Sequence, residues 1–218
     1  MGMQWPHPDI KAHGEAYAME SKTIVAKDGD RQQLDFTIYP GAYGSIDVTN
    51  PGDPPIERMV VDVVRDGLDS STRDSYIRTT AIGGGSWSFV GAPAGDHVAA
   101  ATVRLPGGSR FFYSAPVKLE LGQEARMRIE LDEGIELRVR SVDPSGKPIT
   151  LDSLAAFDHL HRKVYERNML GSIVNESVLR VPRGTINLIG RAETCVGDIQ
   201  VDTTDGMPRS IVLRLHAK

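Results

Sequence analysis

Two of the six histidines in this chain of 218 residues stand two apart, as His159-Leu160-His161, with Tyr165 shortly after. Imidazole nitrogens and a phenolate oxygen can ligate iron, copper or zinc. On a strand, side chains two apart share a face, so His159 and His161 would reach one metal ion together. If residues 152–170 form a helix instead, with Asp152 or Ser153 as cap and Gly171 as stop, the two imidazoles lie on different faces. The blander reading is a polar hairpin tip carrying two solvated histidines, since two-residue spacings match by chance.

Trp87 and the run Phe111-Phe112-Tyr113 are candidates for stacking a ligand such as a sugar, because aromatic rings give contact area at small entropic cost. Trp87 and Phe89 alternate in one strand, which places Trp87 in a core. Phe111-Phe112-Tyr113 sets at least one ring on each face of a strand, so an exposed ring is expected there. Cys195 is the one cysteine. It can form no internal disulfide, and without a base or a basic setting beside it, it reads as a small apolar filler. Gly83-Gly84-Gly85 and Gly107-Gly108 precede strands rather than helices, so they read as hairpin turns and not phosphate loops. Asp28-Gly29-Asp30 and Asp66–Asp74 are acidic loops without EF-hand spacing. No Ser-His-Asp order, P-loop or Gly-x-Ser-x-Gly elbow stands out. The expectation is no catalytic residue and no cofactor, with His159, His161 and Tyr165 as the metal candidates and Phe111, Phe112 and Tyr113 as the ligand candidates.

Charge narrows the partners. Lys and Arg number 25 against 29 for Asp and Glu, a formal net charge of −4. The acidic excess lies in residues 1–131, since 132–218 are balanced. The longest basic cluster is Arg162-Lys163, too little to face a phosphate backbone, so nucleic acid is not expected. Hydrophobic residues at 40% and charged ones at 25% fit a folded globular chain. No run approaches the roughly 18 apolar residues that a membrane helix needs. Met1-Gly2-Met3 lacks the charged and apolar regions of a signal peptide.

The elements that must carry these residues are strands. Arg58–Val64 is a β-branched run suited to a buried strand. Residues 125–131, 135–140 and 211–215 alternate with period two, one face wet and one in a core. Many short strands between Gly and Pro turns read as an all-β sandwich or barrel. One pattern recurs: strand, Gly-containing turn, alternating strand. It occurs at 23–38, 117–131 and 199–215, and after the first two copies Gly41 and Gly134 open a new strand. Pro93-Ala94-Gly95 and Pro182-Arg183-Gly184 each sit between two strands, and Asn50–Ile56 parallels Asp143–Ile149 as a turn ending in Pro-Ile. These landmarks predict two related domains, 40–131 and 132–218. Residues 1–39 then read as a hairpin, the tail of a preceding repeat, and the chain as part of a longer tandem array. The alternative is a native hairpin packed on the first domain.

The order Gly146-Lys147-Pro148-Ile149, strand, Val181-Pro182-Arg183-Gly184, strand, Gly, alternating strand resembles the carboxypeptidase regulatory-like domain. Residues 85–90 and Ala92-Pro93-Ala94-Gly95 carry the same resemblance in 40–131. In the leading piece it is carried by Trp5-Pro6, Ala18, Asp28-Gly29 and Leu34-Asp35-Phe36. The resemblance implies a transthyretin-like (prealbumin-like) sandwich of seven strands. An immunoglobulin-like sandwich shares many of its turn signatures. The family is an accessory module that implies no chemistry of its own and occurs in exported bacterial proteins. On the same scaffold, His159-x-His161 with Tyr165 resembles the ferric site of intradiol dioxygenases. There, however, the His-x-His lies in an apolar strand after Arg-Pro, and here it follows Asp158. The ending Leu213–Lys218 departs from the Tyr-Arg-Gly-Ser terminus of the transthyretin-like hydrolases.

The fold expected is therefore all-β: two tandem prealbumin-like or immunoglobulin-like sandwiches behind an N-terminal hairpin. The function expected is a non-enzymatic structural or interaction module, spacer or binder, of a larger bacterial exported or cell-surface protein. A carbohydrate-binding module and an intradiol-type dioxygenase are the alternatives. The partners expected are other domains of the parent protein, another protein or a glycan.

Overall fold

A computed structural model describes residues 17–18, 39–49, 58–66, 76–105, 108–168 and 176–217, which hold strands, turns and no helix. The expected hairpin at 23–38, the turn at Asn50–Ile56, the acidic loop at Asp28–Asp30 and most of Asp66–Asp74 lie outside the described residues. At the N-terminal end β1 (Tyr17–Ala18) pairs antiparallel with β2 (Tyr39–Pro40).

The first half contains β3 (Ala42–Thr49), β4 (Arg58–Arg65), β5 (Tyr76–Arg78), β6 (Thr80–Gly83), β7 (Ser86–Ala92), β8 (Gly95–Leu105), β9 (Gly108–Tyr113), β10 (Val117–Leu119) and β11 (Glu124–Glu130). β3 lies between β7, antiparallel, and β11, parallel. β4 pairs with β5 and β8, and β8 pairs with β9 and then β10. Alternation explains the layers. In β11, Met127 and Ile129 are buried while Arg126 and Arg128 flank them outside. In β8, His97, Ala99, Ala101 and Val103 face inward, and the small alanines leave room that Phe89 fills in the same core. Burying one such ring contributes about 1.5–3 kcal/mol.

The second half contains β12 (Ile135–Val142), β13 (Ser153–Phe157), β14 (Lys163–Asn168), β15 (Glu176–Val181), β16 (Thr185–Arg191), β17 (Cys195–Asp202), β18 (Arg209–Arg214) and β19 (His216–Ala217). It repeats the same wiring. β12 lies between β15, antiparallel, and β18, parallel. β13 pairs with β14 and β16, and β16 with β17. The Pro-x-Gly turns join β7 to β8 and β15 to β16, and Gly95 and Gly184 take φ of 129° and 125°, where a side chain would be strained. Each half is thus a β-sandwich, prealbumin-like or immunoglobulin-like as expected. One buried apolar cluster gathers residues between Ala42 and Leu131, another residues between Leu137 and Leu215.

The outer sheets of the two halves are one sheet. Nine strands run in order from β19 at one end to β5 at the other, with β10 off that path on β8, and the halves meet where β14 pairs antiparallel with β9.

Candidate functional site

The junction gathers most of the residues with chemical potential. Its centre is β9, Gly-Ser-Arg-Phe-Phe-Tyr, which carries one charge in an aromatic run. Alternation sends Arg110 and Phe112 to one face and Phe111 and Tyr113 to the other. On the first face the Arg110 guanidinium stacks over the Phe112 ring at 4.7 Å. Arg110 is 7% exposed and stands opposite Tyr165, itself buried. Its Nη2 donates to Asp132 Oδ1 at 3.1 Å, in the segment that links β11 to β12. Burial pushes the Arg110 pKa down; the Asp132 carboxylate opposes that shift, and nearby Arg180 adds to it.

Two glycines let the chains come this close. A Cβ on Gly108 would lie 2.7 Å from the Glu166 carbonyl oxygen and 2.8 Å from Tyr165 Oη, and one on Gly134 would lie 2.7 Å from Arg110 Nη2. Both residues have positive φ, 137° and 70°. On the second face the Tyr113 hydroxyl donates to the Lys163 carbonyl at 3.0 Å. Arg162 stacks over the Tyr113 ring at 5.0 Å and Lys163 Nζ stands 5.8 Å from the Phe111 ring. Tyr113 and Phe111 are thus taken by cations of the other half, and Phe112 by Arg110 of its own.

The histidines sit at the edge of this joint. Residues 158–162 form the turn between β13 and β14, so His159 and His161 lie on neither a strand nor a helix. Asp158 Oδ1 accepts from the backbone N–H groups of Leu160 and Arg162, at 2.9 Å each, and Oδ2 accepts from Arg162 Nε. This closes the loop and holds His161 at φ 59°. Both imidazoles are exposed, whereas Tyr165 is buried in the second core. Burial raises the Tyr165 pKa, and Arg167 opposes the shift. Among the described residues no group of three or more His, Cys, Asp or Glu stands close enough to hold a metal ion. The chemistry available at the junction is cation–aromatic stacking, ion pairs such as that of buried Arg110 with half-exposed Asp132, and strand pairing.

A second feature is a cleft beside β4, lined by Met59, Asp62, Arg78, Thr79 and Trp87 among others. Trp87 is half-buried, its ring facing both the first core and this cleft. Burial pushes the Asp62 carboxyl up from its ordinary range, while Arg78, its cross-strand neighbour, pulls it down. Cys195 is half-buried at the start of β17.

Sequence reasoning singled out Phe111–Tyr113 and Tyr165 but missed Arg110 and Asp132. The available signal was a lone arginine alternating with aromatics in a strand, where a buried charge needs a partner.

No family model matches the chain, and no curated protein matches it. Solved structures similar to it include the Bacillus anthracis TIE protein, at 12% identity and a TM-score of 0.33, covering 81% of this chain and 34% of that one. The minor pilin GBS52 of Streptococcus agalactiae is 9% identical with a TM-score of 0.34, covering 81% and 96%. The shaft pilin SpaA of Lactobacillus rhamnosus GG is 6% identical with a TM-score of 0.30, covering 82% and 98%. This chain thus spans about a third of the length of the TIE protein. No helix among the described residues is long and apolar enough to cross a membrane.

Proposed function

We propose that this chain is a non-enzymatic structural module, a stiff spacer in a larger exported or cell-surface bacterial protein. In this reading 40–131 and 132–218 are carboxypeptidase regulatory-like units and 1–39 ends a preceding one. The observation that carries it is the junction. Tandem domains tied only by a linker move freely. Here the β9–β14 pairing, with Arg110 buried between the halves, makes one sheet of two sandwiches. Such a joint transmits orientation along the array and holds the end loops at a fixed distance.

Spin labels on exposed residues of the two halves, Val90 and Val212, test the stiffness. Pulsed electron resonance is expected to give one narrow distance distribution, which broadens in Gly108→Val. A broad distribution in the parent chain would sink the spacer reading. Fractionation of the source cells with an antibody to this segment tests location, and recovery in the cytosol alone would count against export.

A glycan-binding role has one observation in its favour, the half-buried Trp87 beside Asp62 and Arg78 in the β4 cleft. An indole next to hydrogen-bonding side chains suits a sugar face. Glycan-array binding that Trp87→Ala abolishes would support it, and an array without binders would remove it.

A further inference from the structure

The small sheet of the second half, β15–β12–β18, turns one face to the core and the other outward. Alternation sends Leu137, Val139, Leu179, Val181, Ile211 and Leu213 inward. The outward face carries Arg138 and Arg140 of β12, Arg180 of β15 and Arg214 of β18, all exposed. The register sets them in a line. Arg180 stands beside Glu136, two residues before Arg138, and Arg214 stands beside Val142, two residues after Arg140. Two residues along a strand cover about 6.7 Å, and neighbouring strands lie about 4.8 Å apart. The four Cα atoms thus form a diagonal row of roughly 20 Å across the three strands.

The scaffold does not impose this row. Leu131 and Leu215 donate corresponding backbone hydrogen bonds, to Thr49 and Val142, and Ala92 and Val181 precede the two Pro-x-Gly turns. The counterparts of Arg138, Arg140, Arg180 and Arg214 in the first half are therefore Ser45, Asp47, Gly91 and Glu130, none of them basic. Two of the arginines have local partners. Arg138 Nε donates to Glu136 Oε1 at 3.0 Å, and Arg180 Nη1 donates to the Glu133 carbonyl at 3.4 Å. The side chains of Arg140 and Arg214 make no hydrogen bond or ion pair among the described residues. Val178 lies beside Arg138 and Val212 beside Arg140, 47% and 53% exposed, so the row runs between two aliphatic side chains.

We infer that this face binds a linear carboxylated polysaccharide, a chain of uronic acid residues laid along the row. Guanidinium forks take carboxylates in bidentate pairs. The valines meet the C–H faces of the sugar rings between those pairs. A stiff chain on a flat face loses little conformational freedom on binding. Other polyanions suit the face less. Single-stranded nucleic acid is held by aromatic stacking, and the face carries no ring among the described residues. An extended peptide gains affinity by adding to a sheet edge, whereas this row crosses the strands on a face. The whole chain carries −4, so attraction to a polyanion comes from the row and not from net charge. The inference stands on the small sheet of the second half alone; neither the spacer reading nor the Trp87 cleft enters it.

Polygalacturonate is the probe, tested on the full chain by biolayer interferometry at low and high salt. The expected result is binding that fades as salt rises, with none to neutral dextran. Arg140→Gln combined with Arg214→Gln is expected to weaken binding about tenfold and leave the urea midpoint unchanged, because neither side chain has a partner to lose. Arg126→Gln combined with Arg128→Gln removes the same charge from the corresponding face of the first half, and binding is expected to stay within about twofold. No binding of polygalacturonate at low salt, or an equal loss in the two double variants, overturns the inference. Binding that Trp87→Ala abolishes would belong to the β4 cleft and overturns it as well. Tighter binding of polyglutamate or of a DNA oligonucleotide than of polygalacturonate overturns it too, by making the occupant an acidic peptide or a nucleic acid.

Discussion

Arg110 is the residue on which the junction turns, and its contributions separate. Its stem and guanidinium pack against Phe112 and under Gly134, while its charge meets a carboxylate that is half-exposed. Packing and a charge-assisted hydrogen bond together contribute about 2–3 kcal/mol, whereas an ion pair with one arm in solvent contributes about 0.5–1 kcal/mol. Arg110→Ala should therefore lower stability to urea by the larger amount and Asp132→Asn by the smaller. The reverse order would show that the charge, not the packing, holds the halves together. Asp62 is a different case. Its folded-state carboxyl is raised by burial, so it favours folding when protonated, and that contribution is lost as pH rises through the folded value. Asp62→Asn should raise the urea midpoint at pH 7 and leave it unchanged at pH 3. Equal shifts at both pH values would rule out the linkage. Arg110 was hidden in the sequence because a strand pattern tells which face a side chain takes and not what lies on that face.

The strands were legible because their physics is local. Residues 125–131 and 135–140 alternate, and each became a strand with one buried face, β11 and β12. The turns follow a similarly local rule. Asp143 Oδ1 accepts from the N–H groups of Ser145 and Lys147, as Asp158 does from those of Leu160 and Arg162. The Ser145 hydroxyl, which also donates to Oδ1, and after it these N–H groups hold the Asp143 carboxyl below its ordinary range. Asp158→Ala should cost about 1–2 kcal/mol in equilibrium unfolding, the amount of the bonds lost less what water restores. A change below about 0.3 kcal/mol would mean that the tip closes without its carboxylate. In the second core Leu188 is fully buried, so Leu188→Ala should cost about 2–5 kcal/mol. What stayed illegible was 152–170, readable as strand, helix or tip. A short amphipathic stretch satisfies several periods, and the choice was made by β16 and β9, the neighbours on either side of its hairpin.

The continuous sheet ties the stability of one half to the other. If the junction couples them, equilibrium unfolding proceeds in one transition, and hydrogen exchange protects residues 109–110 and 165–166 as well as the cores. Gly108→Val drives a side chain into Glu166 and Tyr165, so unfolding should split into two transitions and that protection should fall. A single unchanged transition in this variant would show that the halves are coupled through the linker alone.

The amino-acid sequence by itself determined the all-β class, the recurring strand-turn-strand unit and the Pro-x-Gly turns, because period-two alternation and positive-φ glycines act within a few residues. It also placed Phe111, Phe112, Tyr113 and Tyr165 among the residues of interest. Only the tertiary structure decided that these four meet in one joint, that Arg110 is buried there against Asp132, and that His159 and His161 stand on an exposed tip. Pairing between β9 and β14 joins residues more than fifty positions apart. Which edge meets which is set by the shape and free hydrogen bonds of two folded sandwiches, and no local pattern encodes that.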